Sequence, residues 1–422
     1  MPRALMNILF SIFGILLFAA CNIRSDEQRY RGYKIAIDIS HIQSVHGSTN
    51  AKILNVKIPV SNSTTFDYNK SLKDIYFVKL ETTTQSKFGS MDKIFITDSR
   101  IIIVDLNVSK GVFIFDTAGR FINAILVNKS FEDRRESLTN FNDVAYDYTA
   151  NEIILHDISN NKLFYFDKDG NFKNVSKEYV YFLQFVNLKN TDKFAYYNPL
   201  GGNDHIPALN QSAIYIGKRN TQILYTATNV IKNFKSGRNY YINNNASFKN
   251  NNNTVFYTPD FSDTVYQIEG SPVNVYPKLV IHYPGPDINT KIRESNKEGI
   301  EEYIKLKNKN QYYSFEGEIF CNDDSIYFIA TYKNILSGYF YSAKTNKIIG
   351  GDLVSMVATK DSAQIEAYTY PVTAFNDYFV SVLPFSNFVD NKTLRNAKLT
   401  KIKKSIKPID NPILAFYRLK DF

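Results

Sequence analysis

Apolar residues come in short runs separated by polar, turn-forming residues, and the pattern repeats itself. Val112-Phe113-Ile114-Phe115-Asp116-Thr117-Ala118-Gly119-Arg120-Phe121 returns 51 residues later as Leu163-Phe164-Tyr165-Phe166-Asp167-Lys168-Asp169-Gly170-Asn171-Phe172. Each copy predicts an aromatic strand, a tight turn in which glycine supplies a positive φ, and the start of a second strand. The runs Ile101 to Val104 and Ile153 to Leu155 predict a further strand upstream of each copy. Tyr339-Phe340-Tyr341-Ser342-Ala343-Lys344-Thr345-Asn346-Lys347-Ile348 is a degenerate third copy. A unit of several short strands at this period predicts the blades of a β-propeller.

Weaker strand pairs fill the rest. Ala213 to Ile216 pairs with Gln222 to Tyr225, and Thr254 to Tyr257 with Thr264 to Ile268; Ile326 to Ala330, Tyr378 to Leu383 and Ile413 to Leu419 continue the series. Six blades fit residues 70–422, with room for insertions. Two segments break the pattern. Asn243-Asn244-Asn245 and Asn250 to Asn253 predict a polar loop. Ile288 to Asn310 sets Ile292, Ile300, Tyr303, Ile304 and Leu306 among charges and predicts a helical insertion over one face.

Residues 1–20 have the form of an export signal: Arg3, an apolar core from Ile8 to Phe18 too short to span a bilayer, then Ala19 and Ala20. Leu17-Phe18-Ala19-Ala20-Cys21 resembles the bacterial lipoprotein lipobox, which implies that Cys21 is lipidated and the membrane is a partner. Residues 21–69 then form a tether and leading segment before the propeller. Acidic residues soon after the cysteine, Asp26 and Glu27, resemble surface-export signals of Bacteroides-type bacteria; either face of the outer membrane fits.

Composition narrows the fold and partners further. Aromatic residues make up 15% of the chain without a tryptophan, which favours half-buried pleated surface. Only Cys21 and Cys321 are present, so there is no disulfide framework, and Cys321 closes an apolar run as a small buried hydrophobe. Removing Arg3 with the leader takes the formal charge from +9 to +8. An exported basic protein meets anionic glycans, lipid headgroups, peptides or envelope proteins rather than nucleic acid. The densest basic run, Lys398, Lys401, Lys403, Lys404 and Lys407, is interleaved with Leu399, Ile402 and Ile406 and predicts a solvated strand edge.

The chain resembles the six-bladed β-propeller lipoproteins of Bacteroides-type bacteria, akin in shape to TolB-like and NHL-type propellers. Ile75-Tyr76-Phe77-Val78-Lys79-Leu80-Glu81-Thr82-Thr83, the Asp116 and Asp167 hairpins, Asp263-Thr264-Val265-Tyr266 and Asn411-Pro412-Ile413-Leu414-Ala415-Phe416-Tyr417 carry the resemblance. It implies an all-β, six-bladed fold and brings no catalytic motif, and fold alone does not supply function.

Signs of chemistry are sparse. His41, His46, His156, His205 and His282 include no helical zinc spacing, and there is no nucleophile elbow or phosphate loop. Asp167-Lys168-Asp169-Gly170-Asn171 starts like a calcium loop but lacks the closing glutamate, so it reads as a hairpin turn, as does Asn322-Asp323-Asp324. Gly201-Gly202-Asn203-Asp204-His205 is the loop where glycines permit close approach and Asp204 with His205 could hold a ligand or a divalent metal such as calcium. The leading expectation is a lipid-anchored binding module for a glycan, peptide or protein. The alternative is a metal-dependent hydrolase or lactonase using the propeller channel.

Overall fold

The computed structural model describes residues 25–45, 52–60, 71–127, 137–198, 201–229, 248–251, 254–259, 262–295, 299–309, 311–352, 370–383 and 397–422. The leader, Cys21, His46 and Asn243-Asn244-Asn245 lie outside these residues. The leading segment holds two short helices, α1 (Asp26–Arg29) and α2 (Tyr33–Ala36), and strands β1 (Gln43–Val45) and β2 (Leu54–Lys57); β3 (Leu72–Lys79) opens the propeller. Five successive groups of four antiparallel strands follow. They are β4 (Lys93–Ile96) to β7 (Phe121–Leu126), β8 (Asp143–Asp147) to β11 (Phe172–Lys177), and β12 (Gln184–Asn187) to β15 (Ile223–Asn229). The fourth and fifth are β16 (Phe248–Asn251) to β19 (Val273–His282) and β20 (Ser314–Cys321) to β23 (Lys347–Asp352). The sixth sheet joins β24 (Thr373–Phe375), β25 (Tyr378–Leu383) and β26 (Ile413–Leu419) to β3. This is a six-bladed β-propeller, with the ring closed by its first strand, β3, on the last blade.

The continuous apolar runs have a direct cause. Successive side chains of a strand point to opposite faces, and each central strand is covered on both. Ile101 and Ile103 of β5 (Ile101–Asp105) pack with Phe416 and Leu414 of blade six, while Ile102 and Val104 pack with Val144 and Leu155 of blade two. Five buried residues in a row result, where a one-sided sheet would alternate. The cores therefore lie between blades, and phenylalanine and tyrosine fill them. Phe185, Phe194 and Tyr196 meet Ile154 and Tyr165 between blades two and three.

The hairpin repeats have the predicted geometry. Gly119 and Gly170 have φ of +84° and +80°. Asp116 Oδ1 accepts from the N–H groups of Ala118 and Arg120 at 3.0 and 2.8 Å, and Asp167 Oδ1 from those of Asp169 and Asn171 at 2.9 and 2.8 Å. Each third-to-fourth turn leans on the preceding blade: a Cβ on Gly119 would stand 2.2 Å from the Lys79 carbonyl oxygen, on β3.

Ring closure pairs β26 with β3 antiparallel, from Ile413 opposite Lys79 to Leu419 opposite Leu72. Arg418 seals it, with Nε and Nη2 donating to the two oxygens of Asp74 at 2.8 and 2.7 Å and Nη1 to Asp377 at 2.7 Å. The leading segment does more than tether. β1 runs parallel to β15 and β2 parallel to β19, so each adds a fifth strand to a blade's outer edge.

The predicted insertion is helical: α3 (Ile288–Ser295) and α4 (Gly299–Asn308) bury Ile288, Ile292 and Leu306 together, while Ile304 is half exposed. Two expectations need correction. The basic run is not a strand edge: residues 397–403 form helix α5 (Ala397–Lys403). Lysine, leucine and alanine favour helix, and Ile402 with Ile406 meets the core between blades five and six. Asn250 and Asn251 are not in a loop but end β16, paired with Val255 and Thr254.

Candidate functional site

The first strands of blades two to six contact one another in succession, which places them around the axis. Strands that alternate in direction send their connections alternately to two ends, and the two ends differ. First-to-second and third-to-fourth turns run from two residues (376–377) to five (116–120). At the other end lie the second-to-third and inter-blade connections, which include 127–142, 198–211, 283–313, 353–372 and 384–412. Long connections on a rigid scaffold are where binding residues concentrate.

Near the axis at this end, the Lys93 ammonium pairs with the Asp143 carboxylate of the next blade and donates to the Val144 carbonyl at 3.3 Å. Asp143 also accepts from the Phe185 N–H at 2.9 Å, so one buried carboxylate joins three blades. Under the helical insertion, Lys307 Nζ lies 3.3 Å from Glu316, and the Ser314 hydroxyl donates to the same carboxylate at 2.9 Å. Burial alone would lower the pKa of Lys307, yet it is raised because the Glu316 carboxylate and the Tyr303 phenol stand beside it.

The Gly201–His205 loop lies within the 198–211 connection and receives the leading segment. Asn203 is buried and clamps Tyr181, accepting from its N–H at 2.7 Å and donating to its carbonyl at 2.9 Å. The exposed Asp204 donates its N–H to Asp26 at 3.3 Å. His205 lies under two tyrosines, Tyr30 stacked on it at 4.9 Å and Tyr33 edge-on at 4.7 Å. Burial holds the His205 imidazole below its ordinary pKa, and its Nε2 lies 2.9 Å from the Tyr179 carbonyl, so Nε2–H donates. Asp204 and His205 are thus close, with the imidazole facing the protein's own N-terminal segment.

Beside it is a pair that sequence reasoning missed. Glu178 and His156 are wholly buried, with Oε2 and Nε2 2.7 Å apart, and the imidazole stacks on Phe182 at 4.0 Å. Burial raises the Glu178 pKa, with His156 pulling against it. Tyr30 is buried above; its phenol pKa is driven well up by burial and then by the Glu178 carboxylate. The repeat itself held the signal. Gly111 pairs with Leu126 and Lys162 with Lys177, so the residues that follow, Val127 and Glu178, are equivalent; by the same register Val104 corresponds to His156. Blade one fills with two valines the places where blade two puts a carboxylate and an imidazole.

The remaining candidates are engaged locally. Asp169 pairs with Arg100 of blade one at 2.6 Å. His41 lies 2.7 Å from Asp38, and His282 Nε2 lies 2.9 Å from Asn55 Oδ1 on β2. The Cys321 thiol has its pKa pushed up by burial. Among the described residues, no three His, Cys, Asp or Glu side chains gather to hold a metal, and no helix is long and apolar enough to cross a membrane.

Among solved structures, a Bacteroides fragilis protein named as exported superposes with a TM-score of 0.68 at 18% identity, over 88% of this chain and 100% of that one. A member of the DUF4221 family from Bacteroides vulgatus gives 0.46 at 11% identity, over 83% and 97%. No curated protein matches the sequence. The profile described as Domain of unknown function (DUF4934) matches residues 51–418, and the chain belongs to that family.

Proposed function

We propose that this is a lipid-anchored cell-envelope protein whose propeller binds an anionic glycan, a peptide or an envelope protein on the face that carries the long connections. The observation that carries the reading is the asymmetry of the ring: two- to five-residue turns at one end, connections such as 283–313 and 384–412 at the other. Export and anchoring rest on the leader and Cys21. They agree with the name of the Bacteroides fragilis protein of the same fold. The basic balance favours anionic partners in that compartment.

The test offers immobilised residues 22–422 to three separate fractions of the envelope: surface polysaccharide, peptidoglycan and outer-membrane proteins. Saturable retention of one class supports the reading. No saturable retention of any of them contradicts it.

A further inference from the structure

We infer that the rim of blades two and three, where the leading segment is docked, lies against the membrane and inserts Ile35 among the phospholipid headgroups. This rests on the anchor reading of Cys21.

The first consideration is reach. Ser25 caps α1, and four peptide steps separate it from Cys21, a span of at most about 14 Å. The segment that follows is fixed to the ring. Arg29 donates to Asn161 at 2.8 Å and to the Ile158 carbonyl at 3.0 Å, both in a turn of blade two. Lys177 of β11 donates to the Arg31 carbonyl at 2.6 Å, and Tyr30 and Tyr33 hold His205 of blade three. A lipid on Cys21 therefore keeps this rim close to the bilayer, and blade five, opposite in the ring, is farthest away.

The second is the chemistry of that rim. Ile35 is 94% exposed, more than any other large apolar side chain among the described residues, and Ile39 follows at 39%. Arg31 and Lys34 flank Ile35 in sequence, Lys177 is tied to the Arg31 carbonyl, and all three are exposed. Acids lie among these bases: Glu27 stands 3.5 Å from Lys34, Asp38 binds Ser40 and His41, and Asp26 accepts from the Asp204 N–H, so the rim carries both signs of charge. An exposed apolar side chain flanked by Arg31 and Lys34, close to an acyl anchor, suits the headgroup layer of a bilayer, where the isoleucine enters and the cations meet phosphates.

The absence of tryptophan makes the test direct. Ile35→Trp gives a single reporter at the rim, and Lys344→Trp gives one on a third-to-fourth turn of blade five. Each full-length chain is purified from membranes, its acylation is read by mass spectrometry, and it is reconstituted into phosphatidylethanolamine–phosphatidylglycerol vesicles with brominated lipid. The expected result is blue-shifted, strongly quenched emission at position 35 and water-like, weakly quenched emission at 344. Arg31→Glu with Lys34→Glu should reduce the quenching at 35. An acylated chain quenched equally at both positions overturns this inference alone, whereas an unacylated Cys21 overturns the anchor reading and the inference with it.

Discussion

Glu178 and His156 stand 2.7 Å apart with no exposed surface, in positions that the neighbouring blade gives to Val127 and Val104. A buried pair of this kind is costly to break and cheap to replace whole, because each partner compensates the other's desolvation. His156→Val alone should destabilise the protein by about 3 kcal/mol or more. His156→Val with Glu178→Val should recover most of that loss, since blade one packs valines there. Urea unfolding of the two single variants and the double variant closes the cycle. Additive losses would show that the residues do not act as a pair.

His205 lends a pH dependence to the docking of the leading segment. Its pKa is lowered in the fold by burial, while Asp26, Asp204 and Glu27 pull it back up. The unfolded side chain therefore takes a proton at higher pH than the folded one, so this contribution is present above about pH 6.5 and lost as pH falls below it. Hydrogen exchange at Tyr30 and Tyr33, taken relative to the intrinsic amide rate at each pH, should quicken between pH 7 and 5.5, and less so in His205→Gln. Equal acceleration in both proteins would remove His205 as the cause.

Asp105 carries acid sensitivity into the scaffold. Burial works to raise its pKa, but the Ser90 hydroxyl and N–H groups of Ser90, Val108 and Gly89 hold it far below the usual carboxylate range. A depressed folded pKa contributes stability that is present above the unfolded value near 3.9 and lost as pH falls through the folded one. Asp105→Asn should cost about 2 kcal/mol at pH 7, and the gap to the parent should narrow below about pH 4. A gap independent of pH would assign the loss to shape rather than charge.

The two repeat glycines should differ. Both need a left-handed backbone, which costs an L side chain about 1 kcal/mol or more. A Cβ at Gly119 meets the Lys79 carbonyl at 2.2 Å, whereas one at Gly170 meets the movable tip of Ile114 at 2.7 Å. Gly119→Ala should lower the thermal midpoint more than Gly170→Ala. Equal shifts would mean that β3 moves to accommodate the methyl group.

What could be read from residues alone follows these contacts. The strands were legible because the blades bury both faces, which turns Ile101 to Val104 into an unbroken apolar run, and the Asp116 and Asp167 turns satisfy their own backbone. The α5 helix was misread because the interleaving of lysines with apolar residues was taken for a strand edge, although Leu399, Ile402 and Ile406 stand three and four apart, the spacing of one helix face. The wrapping of β1 and β2 was hidden because they are three and four residues long and draw their stability from the edges they join. At the candidate site, the residues of the Gly201–His205 loop were visible, but their partner was not: Tyr30 and Tyr33 lie about 170 residues away in sequence, a separation that no local pattern reports.

The long-connection face is the working surface proposed for this propeller. A photoreactive amino acid placed at the exposed positions Lys309 and Lys407 on that face, and at Thr117 and Lys344 on the opposite turns, tests it in intact cells. The account predicts a discrete adduct from Lys309 or Lys407, identified by mass as glycan, peptide or protein, and none from Thr117 or Lys344. Adducts of equal yield from both faces, or from neither, would contradict it.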